Sequence, residues 1–209
     1  MKRSTPAHST NVSEAYWSVG GGGLTVSELQ KIRVSNRPIR LSNAAHDRIV
    51  NSRQIVERLA EGTGALYGIN TGFGVLAHQH IPRSDLEQLQ ENLILSHAVG
   101  VGDEVPSEIA RLMLLLKAHG LALGYSGARV EIIDYLIRFY NEEFIPIIFT
   151  KGSLGASGDL APLAHLTLPA LGFGEVDFKS SRIPAKVALQ RLGLEPLRLK
   201  AKEGLALIN

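Results

Sequence analysis

The sequence predicts a mainly α-helical fold, on three observations. Capping residues recur just ahead of apolar positions at helical spacing, glycines punctuate the runs between them, and only one short stretch is dominated by β-branched and aromatic residues. Of the 209 residues, 44% are hydrophobic, enough to build a sizeable core in one domain.

In chain order, residues 1–23 read as a polar, flexible tail ending in Val19-Gly20-Gly21-Gly22-Gly23. Four glycines without a following Lys-Ser/Thr do not make a phosphate loop. Thr25 and Glu28 form a capping box for a short helix. Ser42 or Asn43 caps a longer one carrying Ile49, Ile55, Val56 and Leu59, which Gly62 or Gly64 ends. Ser84 and Glu87 make a second capping box, and Leu86, Leu89 and Leu93 carry that helix to about His97. Ser107 opens a helix bearing Ile109, Leu112, Met113 and Leu116. Ser126 opens another with Val130, Ile133, Leu136 and Ile137. Phe144–Phe149 is compatible with a strand or a buried extended connection. Asp159 is placed to cap a helix over Leu160–Leu168, where Pro162 falls in the tolerated first turn. Gly172–Arg182 reads as a hairpin or a turn-rich loop, and a last helix covers Ala185–Arg191. No fixed-period repeat is present.

Composition excludes several functions. Charged residues make up 20% of the chain with a formal net charge of +2. The basic residues are dispersed. Arg191, Arg198, Lys200 and Lys202 form a modest excess that reads as a solvated face, so no nucleic-acid partner is expected. There is no cysteine, and the seven histidines lack metal-ligand spacing, His78 and His80 having no acidic partner; no metal is expected. No run of about 18 apolar residues indicates a membrane span. Met1-Lys2-Arg3-Ser4-Thr5-Pro6 lacks the apolar segment of a signal peptide, so the expected compartment is the cytoplasm.

Four segments carry chemistry. The first is Gly152-Ser153-Leu154-Gly155-Ala156-Ser157-Gly158-Asp159-Leu160-Ala161-Pro162-Leu163-Ala164-His165. Within it the amide nitrogen of Gly158 can reach back to the carbonyl carbon of Ala156 and close a five-membered ring. Gly158, having no Cβ, tolerates the compressed backbone this needs. Loss of water from the ring and from Ser157 turns the serine Cβ into an exocyclic methylene, an electrophile no ordinary side chain offers. The triad lies just before a helix, whose N-terminal dipole and free N–H groups favour negative charge on such a ring. The second is Tyr67-Gly68-Ile69-Asn70-Thr71-Gly72-Phe73-Gly74, too glycine-rich for a helix and carrying one phenol. The third is Asn92–Gly100, with His97 near a predicted helix end, where a lone histidine ordinarily complements the helix dipole. The fourth is Glu203-Gly204-Leu205-Ala206-Leu207-Ile208-Asn209, ending in an amide that can both donate and accept.

Together these segments resemble the histidine, phenylalanine and tyrosine ammonia-lyase family over residues 24–209. The resemblance implies the N-terminal helical domain of the ammonia-lyase fold, within the fumarase/aspartase-like helical superfamily. It implies that Ala156-Ser157-Gly158 cyclises autocatalytically to 4-methylidene-imidazol-5-one (MIO), with no external cofactor. Tyr67 then corresponds to the general base, which needs its pKa of about 10 lowered by nearby positive charge or hydrogen-bond donors. Asn209 corresponds to the amide beside the ring, and His97 to the position that helps choose the substrate side chain. Ser96-His97 is the pair carried by histidine-specific members, although tyrosine-using members can also carry histidine there. The implied reaction adds the substrate amine to the methylene derived from Ser157. Tyr67 removes a β-proton, and ammonia leaves to give a trans α,β-unsaturated acid, which for L-histidine is trans-urocanate. A tyrosine ammonia-lyase or tyrosine 2,3-aminomutase would use the same chemistry, and a non-catalytic helical scaffold is the alternative outside it.

Family members are longer than this chain, which stops after the apolar run Leu205–Ile208. Either truncation or cleavage after Asn209, with the remainder as a separate chain, is expected. The family is homotetrameric, each active site drawing on several subunits, so these residues alone are expected to be inactive.

Overall fold

Helix α4 (Ser107–Ala122) is the axis about which the rest is arranged. Its small and branched residues Ala110, Leu114, Leu115, Ala118, Leu121 and Ala122 are buried, a stripe recurring at helical spacing. The alanines at 110, 118 and 122 let neighbouring helices approach closely. In the computed structural model, which describes residues 15–155 and 158–209, this stripe packs against α2 (Asn43–Glu61) and α5 (Val130–Asn141). The face read from sequence was right in part: Leu112 and Met113 pack against the core, whereas Ile109 and Leu116 are exposed. In α2 likewise, Ile49 and Val56 are buried as expected, with Ala45 and Arg53 beside them, while Ile55 and Leu59 are exposed.

A second group of helices packs together beside this core: α3 (Leu86–His97), α6 (Leu160–Thr167) and α8 (Glu203–Ile208). The first helix, α1 (Val26–Ser35), and α7 (Ala185–Arg191) complete the eight α-helices among the described residues. The mainly α reading stands.

Short strands tie the layers. β1 (Trp17–Val19) runs parallel to β2 (Ile39–Leu41), and both backbone groups of Ile39 bond the Asn141 amide at 2.9 Å. Segment 1–23 is therefore not all tail, because Val19 is fully buried and the pairing with β2 holds residues 17–19 in place. The Phe144–Phe149 run divides. β4 (Phe144–Pro146) joins β6 (Glu175–Phe178) and β7 (Ser181–Pro184), whereas β5 (Phe149–Lys151) pairs with β3 (Val101–Glu104). The β6–β7 hairpin turns on Lys179 and Ser180, both at positive φ (49° and 66°), the two-residue geometry that suits strand twist.

Capping outcomes differ for physical reasons. The Thr25–Glu28 box forms in both directions, Thr25 N–H donating to Glu28 Oε2 at 2.8 Å and Glu28 N–H to Thr25 Oγ at 3.2 Å. Ser42 caps α2. The Ser84–Glu87 box does not form: Ser84 lies inside a 3₁₀ turn (Arg83–Asp85), and its hydroxyl donates to Asp85 instead. Helix α5 starts at Val130 behind Arg129, not at Ser126, because Gly127 turns the chain at φ 69°. Asp159 occupies the cap position of α6 but its side chain makes no capping bond.

Candidate active site

The Tyr67 loop is held from inside by an amide. Asn70 is buried, its Oδ1 accepting the Leu66 N–H at 2.7 Å and its Nδ2 donating to the Gly64 carbonyl at 2.9 Å. Its carbonyl also accepts the Ile81 N–H at 2.9 Å, so the loop folds back on residues 79–81. Gly68, at φ +74°, lies so close to α8 that a Cβ there would stand 2.5 Å from Leu205 Cδ2. The positive φ favours glycine here, and the close contact docks the loop on the helix leading to Asn209. Tyr67 itself is 58% exposed, set edge-on to Phe73 at 5.9 Å. Its hydroxyl bonds no described residue, so the donors or cations expected around the base are not supplied by these residues.

The segment that carries Ala156-Ser157-Gly158 runs from β5 to α6. Ala156 and Ser157 lie outside the described residues. Gly158 has φ +89° and, among the described residues, no atom beyond its chain neighbours lies within 4 Å of a would-be Cβ, so its backbone conformation is what favours glycine. Gly152, at φ +131°, touches Gly100: a Cβ on it would lie 2.9 Å from Gly100 Cα. That contact joins the loop to the segment just after His97. His97 ends α3, and its Nδ1 donates to the Leu93 carbonyl at 2.8 Å, which leaves Nε2 as the ring atom available to a ligand.

Asn209 follows α8, whose first residue is anchored electrostatically. Glu203 is fully buried; its Oε1 accepts Arg129 N–H at 3.0 Å and Arg129 Nε at 2.8 Å. Its Oε2 accepts Arg129 Nη2 at 2.9 Å and Lys200 N–H at 2.8 Å. Burial works against the Arg129 charge, but these bonds outweigh it and raise its pKa. Arg53, 7% exposed, reaches in from α2, with Nη1 3.6 Å from Glu203 and bonded to the Gly127 and Ala201 carbonyls. At the other end of α8, Lys117 Nζ donates to the carbonyls of Ala206 (3.4 Å) and Asn209 (3.0 Å), and burial lowers its pKa to about 8.

The segments bearing the expected residues lie together: α3, α6 and α8 pack on one another and the Tyr67 loop leans on α8. Among the described residues no hydrogen bond joins the side chains of Tyr67, His97 and Asn209. Sequence reading missed Arg53, Arg129 and His165 as supports, the last through Nε2, which accepts the Gly100 N–H at 2.8 Å. The signals available were a lone charged residue on the apolar face of α2 and a lone imidazole in α6. Among the described residues no group of three or more His, Asp or Glu is placed to hold a metal ion, and no helix is long and apolar enough to cross a membrane.

A mainly helical domain whose glycine-hinged loops converge on one three-helix cluster fits a known enzyme class, and the chain belongs to it: the aromatic amino acid lyase family, whose model matches residues 24–209. Among relatives, the chain is 50% identical over 171 residues to a histidine ammonia-lyase of Deinococcus radiodurans, covering 82% of this chain and 33% of that protein. It is similar to the crystal structure of histidine ammonia-lyase from Trypanosoma cruzi (TM-score 0.84, 37% identity, 93% of this chain and 37% of that one). It is also similar to a tyrosine aminomutase from Streptomyces globisporus (TM-score 0.84, 34% identity, 92% of this chain and 36% of that one). The chain therefore spans little more than a third of the length of the proteins it matches.

Proposed function

We propose that this chain supplies the ring-forming part of an enzyme that eliminates ammonia from L-histidine to give trans-urocanate. The observation that carries the reading is the 50% identity to a histidine ammonia-lyase over most of the chain. The residues fit a protein-derived MIO. Gly158 sits at φ +89°, a backbone conformation that glycine tolerates and that supports the reading of a compressed, ring-capable turn. The formed group supplies an electrophilic carbon that makes the substrate nitrogen a leaving group, so no external cofactor is called for.

The chain's own residues do the remaining work. Tyr67, exposed and carried on a loop docked to α8, takes the β-proton through its phenolic oxygen. His97, tethered through Nδ1, presents Nε2 to an imidazole side chain and so favours histidine. Asn209, at the end of a helix pinned at its first residue, offers an amide to ring or substrate. We extend to this protein the homotetrameric assembly and cytoplasmic setting that the resemblance implies.

The similarity to a tyrosine aminomutase keeps one second reading: the same chemistry on tyrosine. The test uses the protein expressed at the full length of its gene. Peptide mass across residues 156–158 should be short by two waters, and the near-ultraviolet band of the ring should vanish in Ser157→Ala. L-histidine should yield urocanate; coumarate or β-tyrosine from tyrosine would select the second reading. An unmodified mass would reduce the protein to a scaffold.

A further inference from the structure

One imidazole joins three stretches of chain that are distant in sequence. His165 Nε2 accepts the Gly100 N–H at 2.8 Å, across 65 residues. Phe149 of β5 stands at a steep angle to the imidazole, with centroids 5.1 Å apart and planes at 77°. The contact is with backbone, since a Cβ on Gly100 would lie 2.9 Å from His165 Cδ2 and Nε2 and 3.1 Å from Phe149 Cβ. Gly100 in turn abuts Gly152, where a Cβ would lie 2.9 Å from Gly100 Cα. His165, Gly100 and Gly152 therefore form a continuous stack. Gly152 opens the ring-forming loop, Gly100 follows His97 closely, and His165 lies in the helix that begins after Gly158. Burial pushes the His165 pKa below the ordinary histidine value, which keeps Nε2 an acceptor near neutral pH.

We infer that His165 is a positioning residue for ring formation: by holding the Gly100 backbone against Gly152, it anchors the entry of the loop that closes on itself at Ala156–Gly158. The physical need is entropic. Residues 152–158 include three glycines, Gly152, Gly155 and Gly158, the residue type with the most backbone freedom to lose. Nitrogen must approach a carbonyl carbon at about 3 Å for the ring to close. An unanchored entry would dilute that geometry among many loop conformers. This inference rests on the ring-forming reading above, and its test has a readout that does not.

Two variants separate the hydrogen bond from bulk in the full-length protein. His165→Phe keeps a ring of similar size and loses the acceptor; His165→Gln places an amide oxygen where it can accept the Gly100 N–H. Amide hydrogen exchange at Gly100 and through Gly152–Gly158 should quicken roughly tenfold in His165→Phe, the scale of one lost buried hydrogen bond, and stay near wild type in His165→Gln. The two-water mass loss should slow by a similar factor in the phenylalanine variant and recover with glutamine. Circular dichroism establishes that both variants fold. Unchanged loop exchange in His165→Phe, or glutamine behaving like phenylalanine, would overturn the inference. If wild-type protein keeps its unmodified mass while exchange responds as expected, the ring-forming reading fails and the anchoring role stands.

Discussion

At the scale of residues, Tyr67 and Gly68 are adjacent and do opposite things. Gly68, at φ +74°, is packed against Leu205, while Tyr67 is mostly exposed with Phe73 edge-on to its ring. The phenolic oxygen therefore contributes little to folding, and its removal isolates chemistry from structure. In Tyr67→Phe we expect turnover to fall by about 10²–10⁴, the range for loss of a positioned general base, with ring formation and thermal stability unchanged. Activity within about tenfold of wild type would assign the base elsewhere. The glycines of both loops were legible as departures from helix. Which of them faced open space and which faced a wall was not: Gly158 is glycine for its backbone angle, Gly68 for its angle and its neighbour.

At the scale of elements, α8 depends on its first residue. Six residues make a weak helix by themselves, and this one is fastened by a fully buried carboxylate bound to Arg129 and faced by Arg53. Removing Glu203 takes away the buried partner of Arg129 and Arg53 and leaves each arginine a single, half-exposed carboxylate, Glu131 and Glu57. Glu203→Ala should cost about 3–5 kcal/mol in urea unfolding. It should also loosen the Tyr67 loop, which leans on Leu205. A cost below about 1 kcal/mol would mean that apolar packing of Leu207 and Ile208 suffices. The two predicted capping boxes show the limits of reading elements locally. Thr25 enters its helix from extended backbone (ψ 157°), the geometry a cap requires, whereas Ser84 sits within a 3₁₀ turn after Pro82. The same four-residue pattern describes both. The backbone entering each helix decides which one works.

At the scale of the whole molecule, two buried histidines couple stability to pH. Desolvation lowers the pKa of His165, and also of His119, where hydrogen bonding to the Gly22 backbone and the Glu28 charge oppose it in part. In the unfolded chain both return to about 6.5. Between the folded and unfolded values the unfolded state binds more protons, so this stability is complete above about pH 6.5 and is lost as pH falls through the depressed folded values. Asp134, raised by burial, pulls the other way as it takes up its proton at lower pH. Urea midpoints measured from about pH 7 down to 5 should decline, and a His119→Gln, His165→Gln double variant should flatten the decline. An equal slope in both proteins would place the acid sensitivity elsewhere.

The sequence by itself determined the helical class, most helix positions, the ring-capable triad and the loop bearing the phenol. These are local properties, written in periodicity, glycine content and the chemistry of adjacent residues. Only tertiary structure decided how they are held: residues 17–19 paired as a strand, Glu203 set against Arg129, and His165 clasped to Gly100. The last two join positions 74 and 65 residues apart. No local pattern carries such pairings. They form because a buried carboxylate needs cations and a half-buried N–H needs an acceptor, and the fold alone determines which partners arrive.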